Sequence, residues 1–310
     1  MSNVLVTGGN GFIGANLVDG LAAAGHQVTV MDVYPRTYGS LPPDAAYIQG
    51  NLSNTSLVRR TLVDRGIEVV YHVAWATIHE TALKNPAADV EGNLVPTIHL
   101  LDACSETGIG RVIFLSSGGT VYGLPKSLPV KENHPTEPIN AYGISKLAAE
   151  KYMAMYRFLY GLDTLIFRPS VPYGPYQNPH RRQGAVSVFI HHALTGKPVT
   201  IWGDGSVVRD YFYITDMVRA LVAALDLPAG FAGPVNLAGS QAVTLNQLVH
   251  WIEEALKVHL QVSYEPARKF DVPELHLDYT LASELLGWQP EVDLLEGIQL
   301  TAEWIRGHIR

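Results

Sequence analysis

Tyr142 and Lys146, in the run AYGISK (141–146), stand four residues apart at the start of a segment with helical period. That spacing brings both side chains to one helix face. A phenol is a poor base at neutral pH, but an ammonium beside it, or a cationic ring, favours the phenolate, so such a tyrosine can take a proton from an alcohol. Pairs of this kind are common on solvated helices. What raises this one above them is LSSGGTVYG (115–123), which closes an apolar strand pattern just ahead of it. Open α/β sheets hold their ligands at the carboxyl ends of strands.

A second constellation, TGGNGFIG (7–14), follows the first strand pattern and opens the first helical one. Gly8, Gly11 and Gly14 allow a tight turn, a close approach to a pyrophosphate and close packing of helix on strand, while the helix N-terminus offers free N–H groups and partial positive charge. Asp32 ends the second strand, where a carboxylate can accept hydrogen bonds from a ribose diol. The pattern points to a dinucleotide. Because Asp32 would repel a 2′-phosphate it favours NAD over NADP, with Arg36 the one neighbour pulling the other way.

The elements that must position these residues follow from the hydrophobic rhythm. Apolar runs at 4–8, 26–32, 68–74, 111–117 and 163–169 read as buried strands, with helical segments near 13–24, 55–65, 89–107 and 141–160 between them. This is the alternation of right-handed βαβ units around a parallel sheet. The fold class is therefore α/β, a Rossmann-type doubly wound parallel sheet with a smaller mixed α/β lobe. From residue 170 a long Pro-, Gly- and Tyr-rich loop (171–184) breaks the rhythm, and further helices (185–196, 215–226, 244–257) and strands (199–202, 234–239, 261–266) follow. The expected division is a dinucleotide-binding domain of 1–170 plus about 211–240, and a substrate-binding lobe of about 171–210 and 241–310.

Composition narrows the field. With 22 Lys+Arg against 29 Asp+Glu the net charge is −7, so general affinity for nucleic acid or acidic membrane is not expected. No apolar run has the length of a membrane span. The single cysteine, Cys104, cannot form an internal disulfide, reads as a small buried apolar residue and fits a reducing cytoplasm. Of the twelve histidines, His191 and His192 point about 100° apart on a helix, cannot chelate one ion and read as solvated, so no metal is expected. His79 and His180 lie in segments that could border a ligand pocket and carry no assigned role.

Together these residues resemble the extended short-chain dehydrogenase/reductase family, within it the NAD-dependent sugar-nucleotide epimerases and dehydratases, and most closely the UDP-hexose 4-epimerase branch. Besides the glycine turn and Asp32, the runs HVAWA (72–76), EGNLVPTIHLLDAC (91–104), SSGGTVYG (116–123), YGISK (142–146), RPSVPYGPYQNP (168–179), WGDGSVVRDYFYITD (202–216), RKFDVPELHLD (268–278) and LLGWQP (285–290) carry the likeness. The resemblance implies that Phe12 and Ile13 line the pyrophosphate, and that Asn51, Leu52, Ala74, Asn93 and Ser116 lie along the dinucleotide. Tyr142 and Lys146 would flank the nicotinamide, with Lys146 also holding the ribose. For a nucleotide-sugar, in all expectation UDP-linked, it implies Arg209 and Arg268 on the diphosphate, Trp202 against the base, and Gln177 and Asn178 as further contacts. It also implies a homodimer built on the helices at 89–107 and 141–160, whose Leu94, Ile98, Leu101, Met153, Met155 and Phe158 exceed one face's needs.

This chain departs from the family's usual pattern at three places. Gly118 stands where Ser or Thr hydrogen-bonds the reacting oxygen, so Thr120 or else Ser117 would serve, and a serine restored at 118 should recover part of a rate lost at Thr120. Asn51 replaces an Asp that holds the adenine amino group, and Val171 an Asn that supports the diphosphate. The implied reaction is inversion at C4: Tyr142 takes the hydroxyl proton as hydride passes to the nicotinamide, and the 4-keto sugar turns over before reduction on its other face. Dehydratase and decarboxylase chemistry fall because Gly119 and Thr120 occupy the positions of their acidic residues. An NAD(P)H-dependent 4-keto nucleotide-sugar reductase and a non-catalytic dinucleotide sensor stay open.

Overall fold

The computed structural model describes residues 1–180, 184–268 and 271–308. Six parallel strands come first: β1 (Asn3–Thr7), β2 (Gln27–Asp32), β3 (Ala46–Gln49), β4 (Val69–His72), β5 (Arg111–Leu115) and β6 (Asp163–Pro169). After them come β7 (Val171–Tyr173), β8 (Val199–Trp202), β9 (Val208–Tyr213), β10 (Pro234–Leu237), β11 (Ala242–Thr244), β12 (Val262–Glu265) and β13 (Glu274–Leu275). The main sheet has the order β10-β6-β5-β4-β1-β2-β3. Strand order reverses beside β1, and a crevice opens there at the carboxyl ends of β1 and β4.

Near-continuous apolar strands have no polar face because both faces are covered. Along β1, Val4 and Val6 join a core with Leu17, Leu21 and Met217, while Leu5 between them joins the opposite core with Val58, Leu100 and Met153. Helices Phe12–Ala23 and Ile214–Ala223 cover the first face and cross at Gly20, where a Cβ would lie 2.3 Å from Val218 Cγ1. Cys104 is fully buried in the other core. Residues 279–288, placed with the substrate lobe by the sequence reading, pack Ala282 and Trp288 into the first core, and the Trp288 indole donates to Asp216 O at 2.8 Å.

Around β9 a second sheet forms, with β11 antiparallel and β7 and β13 parallel to it, while β8 and β12 pair separately. Helices Ala185–Thr195, Leu245–Leu256 and Leu294–His308 enclose its core of Tyr173, Ile190, Leu248 and Ile298. Four-residue β3 and two-residue β13 are too short to show a period in sequence. The segment 89–107 is not one helix: it has a π turn over Val90–Leu94, Val95 N–H reaching back to Val90 O, before the helix Val95–Thr107. Pro96 has no N–H for an ordinary helical bond, and the wider turn accommodates it.

Three surface expectations change. Leu101 and Met153, counted as surplus apolar residues, are fully buried within the subunit. Met155 and Phe158, also counted there, are exposed, the latter 87%, as are Val90, Val95, Ile144, Leu159 and Tyr160. His191 is buried, its ring 4.7 Å from that of His180, and is not solvated.

Candidate active site

One cleft of about 1290 Å³ runs from Gly8 and Asp32 past Tyr142 and Lys146 to Arg209 and Arg268. At its first end the chain is shaped by backbone. Gly8 has φ +71°, and a Cβ on it would lie 2.6 Å from Ala74 Cα; a Cβ on Gly14 would lie 2.1 Å from Gly8 O. These two glycines let strand, helix and the Ala74 loop close on each other. Gly11 differs, since its nearest neighbour would be Gly8 O at 3.4 Å and its open side faces the cleft. The Asp32 carboxylate accepts from Asn10 N–H at 3.0 Å and Tyr34 N–H at 3.2 Å, which fixes it at the end of β2. Arg36 is turned away from a 2′-phosphate role: its guanidinium grips Asp19 at 2.7 and 2.9 Å, donates to Ala15 O and Ser40 O, and lies 4.6 Å over the Tyr176 ring. An open glycine face at a helix N-terminus, beside a fixed carboxylate with no adjacent free cation of Arg36, fits NAD.

Several side chains expected along the dinucleotide line the cleft with polar groups already partnered by the protein. Asn93 is buried; its Oδ1 accepts from Ala76 N–H at 2.6 Å, and its Nδ2 donates to Thr77 Oγ1 at 2.9 Å and Asp89 Oδ1 at 3.0 Å. Both of its N–H groups and one lone pair shape the 76–77 loop, so it positions the cleft wall. Ser116 donates to Glu150 Oε1 at 2.5 Å, and Glu150 pairs with Arg168, all three buried. Asn51 Oδ1 accepts from Ser53 N–H at 2.9 Å, leaving one lone pair toward the cleft. Phe12, Ile13, Leu52 and Ala74 do line the cleft.

The helix Ala141–Tyr160 is started by Asn140, whose side chain accepts from Gly143 N–H at 2.8 Å. Gly143 lets that helix lie on the 117–121 turn, since a Cβ there would be 2.9 Å from Thr120 O. In this way Tyr142 and Thr120 come together at the end of β5. Lys146 is buried; its ammonium donates to Leu115 O at 2.7 Å and lies 3.8 Å over the Trp75 ring, 4.8 Å from that of Phe114 and 5.8 Å from that of Tyr142. Burial pulls Lys146 down to about 7, with Asp89 and Glu150 drawing it back up. Burial and then the Asp89 carboxylate hold the Tyr142 phenol above its ordinary value. The ammonium is turned to a carbonyl and an aromatic face.

Thr120 and Ser117 both line the cleft, and the Thr120 hydroxyl makes one long 3.5 Å bond to Ser117 O. Gly118 is not simply a missing hydroxyl. A Cβ there would lie 2.3 Å from Leu277 Cδ1 and 2.9 Å from Arg168 O, so a restored serine would crowd both and packing works against the expected rescue. At the far end Arg268 pairs with Asp271 at 2.8 and 3.1 Å and lies 4.8 Å over the Trp202 ring. One face of the indole expected to receive a base thus already carries a guanidinium. Arg209 donates to Val208 O at 2.7 Å. Gln177 Oε1 accepts from Ser187 Oγ at 2.5 Å and Asn178 Oδ1 from His180 N–H at 2.9 Å, so both oxygens hold the loop.

Sequence reasoning missed Trp75 and Asp89 and left His79 without a role. Trp75 covers Lys146 and has a sealed indole N–H with no partner among the described residues, and Asp89 is a fully buried carboxylate bonded to Thr77 and Asn93. Trp75 could be flagged as a large ring inside the short HVAWA run; Asp89 carries no signal until the chain is folded.

Comparison with known proteins bears on the whole length. The chain is 36% identical over 311 residues to the UDP-glucose 4-epimerase of Mycolicibacterium smegmatis, covering 97% of this chain and 98% of that one. Among solved structures it is similar to the UDP-glucose 4-epimerase of Thermotoga maritima with UDP-glucose (TM-score 0.93, 36% identity, 98% and 99% of the two chains). It is similar also to the Thermus thermophilus UDP-glucose 4-epimerase complex with NAD (TM-score 0.92, 32% identity, 98% and 99%). The sequence pattern of the NAD-dependent epimerase/dehydratase family matches residues 4–238, and the chain belongs to that family.

Proposed function

We propose that this protein inverts C4 of a UDP-hexose with NAD held in the cleft. The observation that carries the reading is the single cleft joining the Gly11 face and Asp32 to the Tyr142–Lys146–Thr120 cluster and on to Arg209 and Arg268. Bound NAD supplies oxidation and re-reduction of the sugar carbon. Tyr142 Oη takes the C4 hydroxyl proton and returns it, and the Thr120 hydroxyl, or Ser117 in its place, holds the oxygen meanwhile. Lys146, beside the Tyr142 ring, would hold a ribose hydroxyl of the cofactor and steady the phenolate. Arg209 and Arg268 hold the diphosphate with paired N–H donors, leaving the hexose free to turn over between them and Tyr142.

The test uses protein purified without added coenzyme. Denaturation should release NAD, seen by mass spectrometry, and UDP-glucose should yield UDP-galactose by anomeric proton NMR with no NAD(H) supplied. A stoichiometric demand for NADH would replace the epimerase by the reductase.

Two further parts belong to this proposal. Residues 1–170 with about 211–240 form the cofactor domain, joined by the 279–288 return, and the remainder forms the sugar lobe. Two copies pair through the surface bearing Val95, Ile144, Met155 and Phe158, apolar side chains that a monomer leaves in water. Light scattering at micromolar concentration should give twice the chain mass. A cytoplasmic setting, where Cys104 stays reduced, completes the reading.

A further inference from the structure

His79 begins the short helix His79–Lys84 on the wall of the cleft. Its ring centroid lies 4.8 Å from that of Tyr142, the planes 50° apart. Arg209, Arg268 and Asp271 line the same cleft and act on it electrostatically, so it is near both the reacting tyrosine and the arginines given to the diphosphate. A hexose joined to that diphosphate and offering C4 to Tyr142 comes near this ring. Among the described residues no protein group donates to or accepts from the imidazole nitrogens, and neither nitrogen is sealed, unlike the nearby Trp75 indole N–H.

We propose that His79 is a hydrogen-bonding ligand for a ring hydroxyl of the hexose, held in place by its contact with Tyr142. Burial first, then Arg209 and Arg268, favour the neutral ring, against Asp271. Neutral imidazole offers one donor and one acceptor, the complement of a hydroxyl that also does both. A third cation here would duplicate the arginines, whereas a neutral ring separates recognition of the sugar from capture of the diphosphate. The proposal rests on the UDP-hexose reading above.

Calorimetry separates the two. NAD-loaded wild type and variants are titrated with UDP and with UDP-glucose, after the NAD content of each is measured. His79→Ala and His79→Phe should each keep the affinity for UDP and lose roughly five- to tenfold for UDP-glucose, the loss of one hydrogen bond. Phenylalanine keeps the ring contact with Tyr142, so its failure separates hydrogen bonding from packing. His79→Asn or His79→Gln, which place an amide near one or the other ring nitrogen, should recover part of the loss. The assignment is overturned if His79→Phe binds UDP-glucose as wild type does, if UDP affinity falls equally, or if wild type binds UDP-glucose no better than UDP. Failure of the broader reading shows separately, as wild type that lacks NAD or leaves UDP-glucose unchanged.

Discussion

The two ends of the cleft are built from different materials. The cofactor end is mostly backbone: Gly8 and Gly14 pack against main-chain atoms, and Asp32 is oriented by two backbone N–H groups. The reacting end is side chain on side chain, with Lys146 under Trp75, Tyr142 against His79, and Asp89 buried behind them. The first can be set by a few neighbouring residues. The second needs segments from 75–93, 115–120 and 141–146 to arrive together, and there burial shifts the titration of Tyr142 and Lys146.

If that contrast is right, the largest losses come from single atoms at the reacting end. Tyr142→Phe should lower turnover on the order of a thousandfold while NAD content, read by absorbance after denaturation, stays at wild-type level. Thr120→Val should lose on the order of a hundredfold. Adding Gly118→Ser should not restore it, because Leu277 and the Arg168 carbonyl fill the space, and recovery of rate would show that the 117–121 turn yields more than its packing suggests.

At the cofactor end, two glycines three residues apart should fail for opposite reasons. Gly11→Val should fold with near wild-type melting but purify without NAD, since its side chain enters open cleft. Gly14→Ala meets Gly8 O and should lose stability by about 1–3 kcal/mol, read by thermal unfolding. Equal melting of the two variants would break the distinction.

A pH dependence is expected beside the substrate end. Burial raises the Asp210 carboxyl to about 7, against the pull of Leu277 N–H. Between an unfolded value of about 4 and that figure the folded state holds a proton that the unfolded chain has released, so stability falls as pH rises through the window. Asp210→Asn keeps an acceptor for Leu277 and removes the charge. Its melting temperature should gain on wild type from pH 5 to 8, and a constant difference would count against the raised carboxyl.

Much of this was legible before folding because it is local. The strand–GxxGxxG–helix order, Asp32, and the Tyr142–Lys146 spacing each lie within one βα unit or one helix turn, where period and backbone freedom fix the outcome. The helix over 141–160 was readable for the same reason, with Asn140 as its cap and Gly161 ending it. Side-chain direction was not. Asn93 and Ser116 belong to the expected runs, yet their polar groups turn to Ala76, Asp89 and Glu150, and the nearest free partner in space decides that.

The amino-acid sequence by itself thus determined the doubly wound sheet, the dinucleotide turn and the helix that presents Tyr142, since short-range spacing and apolar periodicity carry them. Only the tertiary structure decided that Gly118 packs against Leu277 and the Arg168 carbonyl, that Trp75 caps Lys146, and that Arg36 belongs to Asp19. Those outcomes depend on contacts between residues from 17 to 159 positions apart, and no local propensity encodes which distant side chain fills a given space.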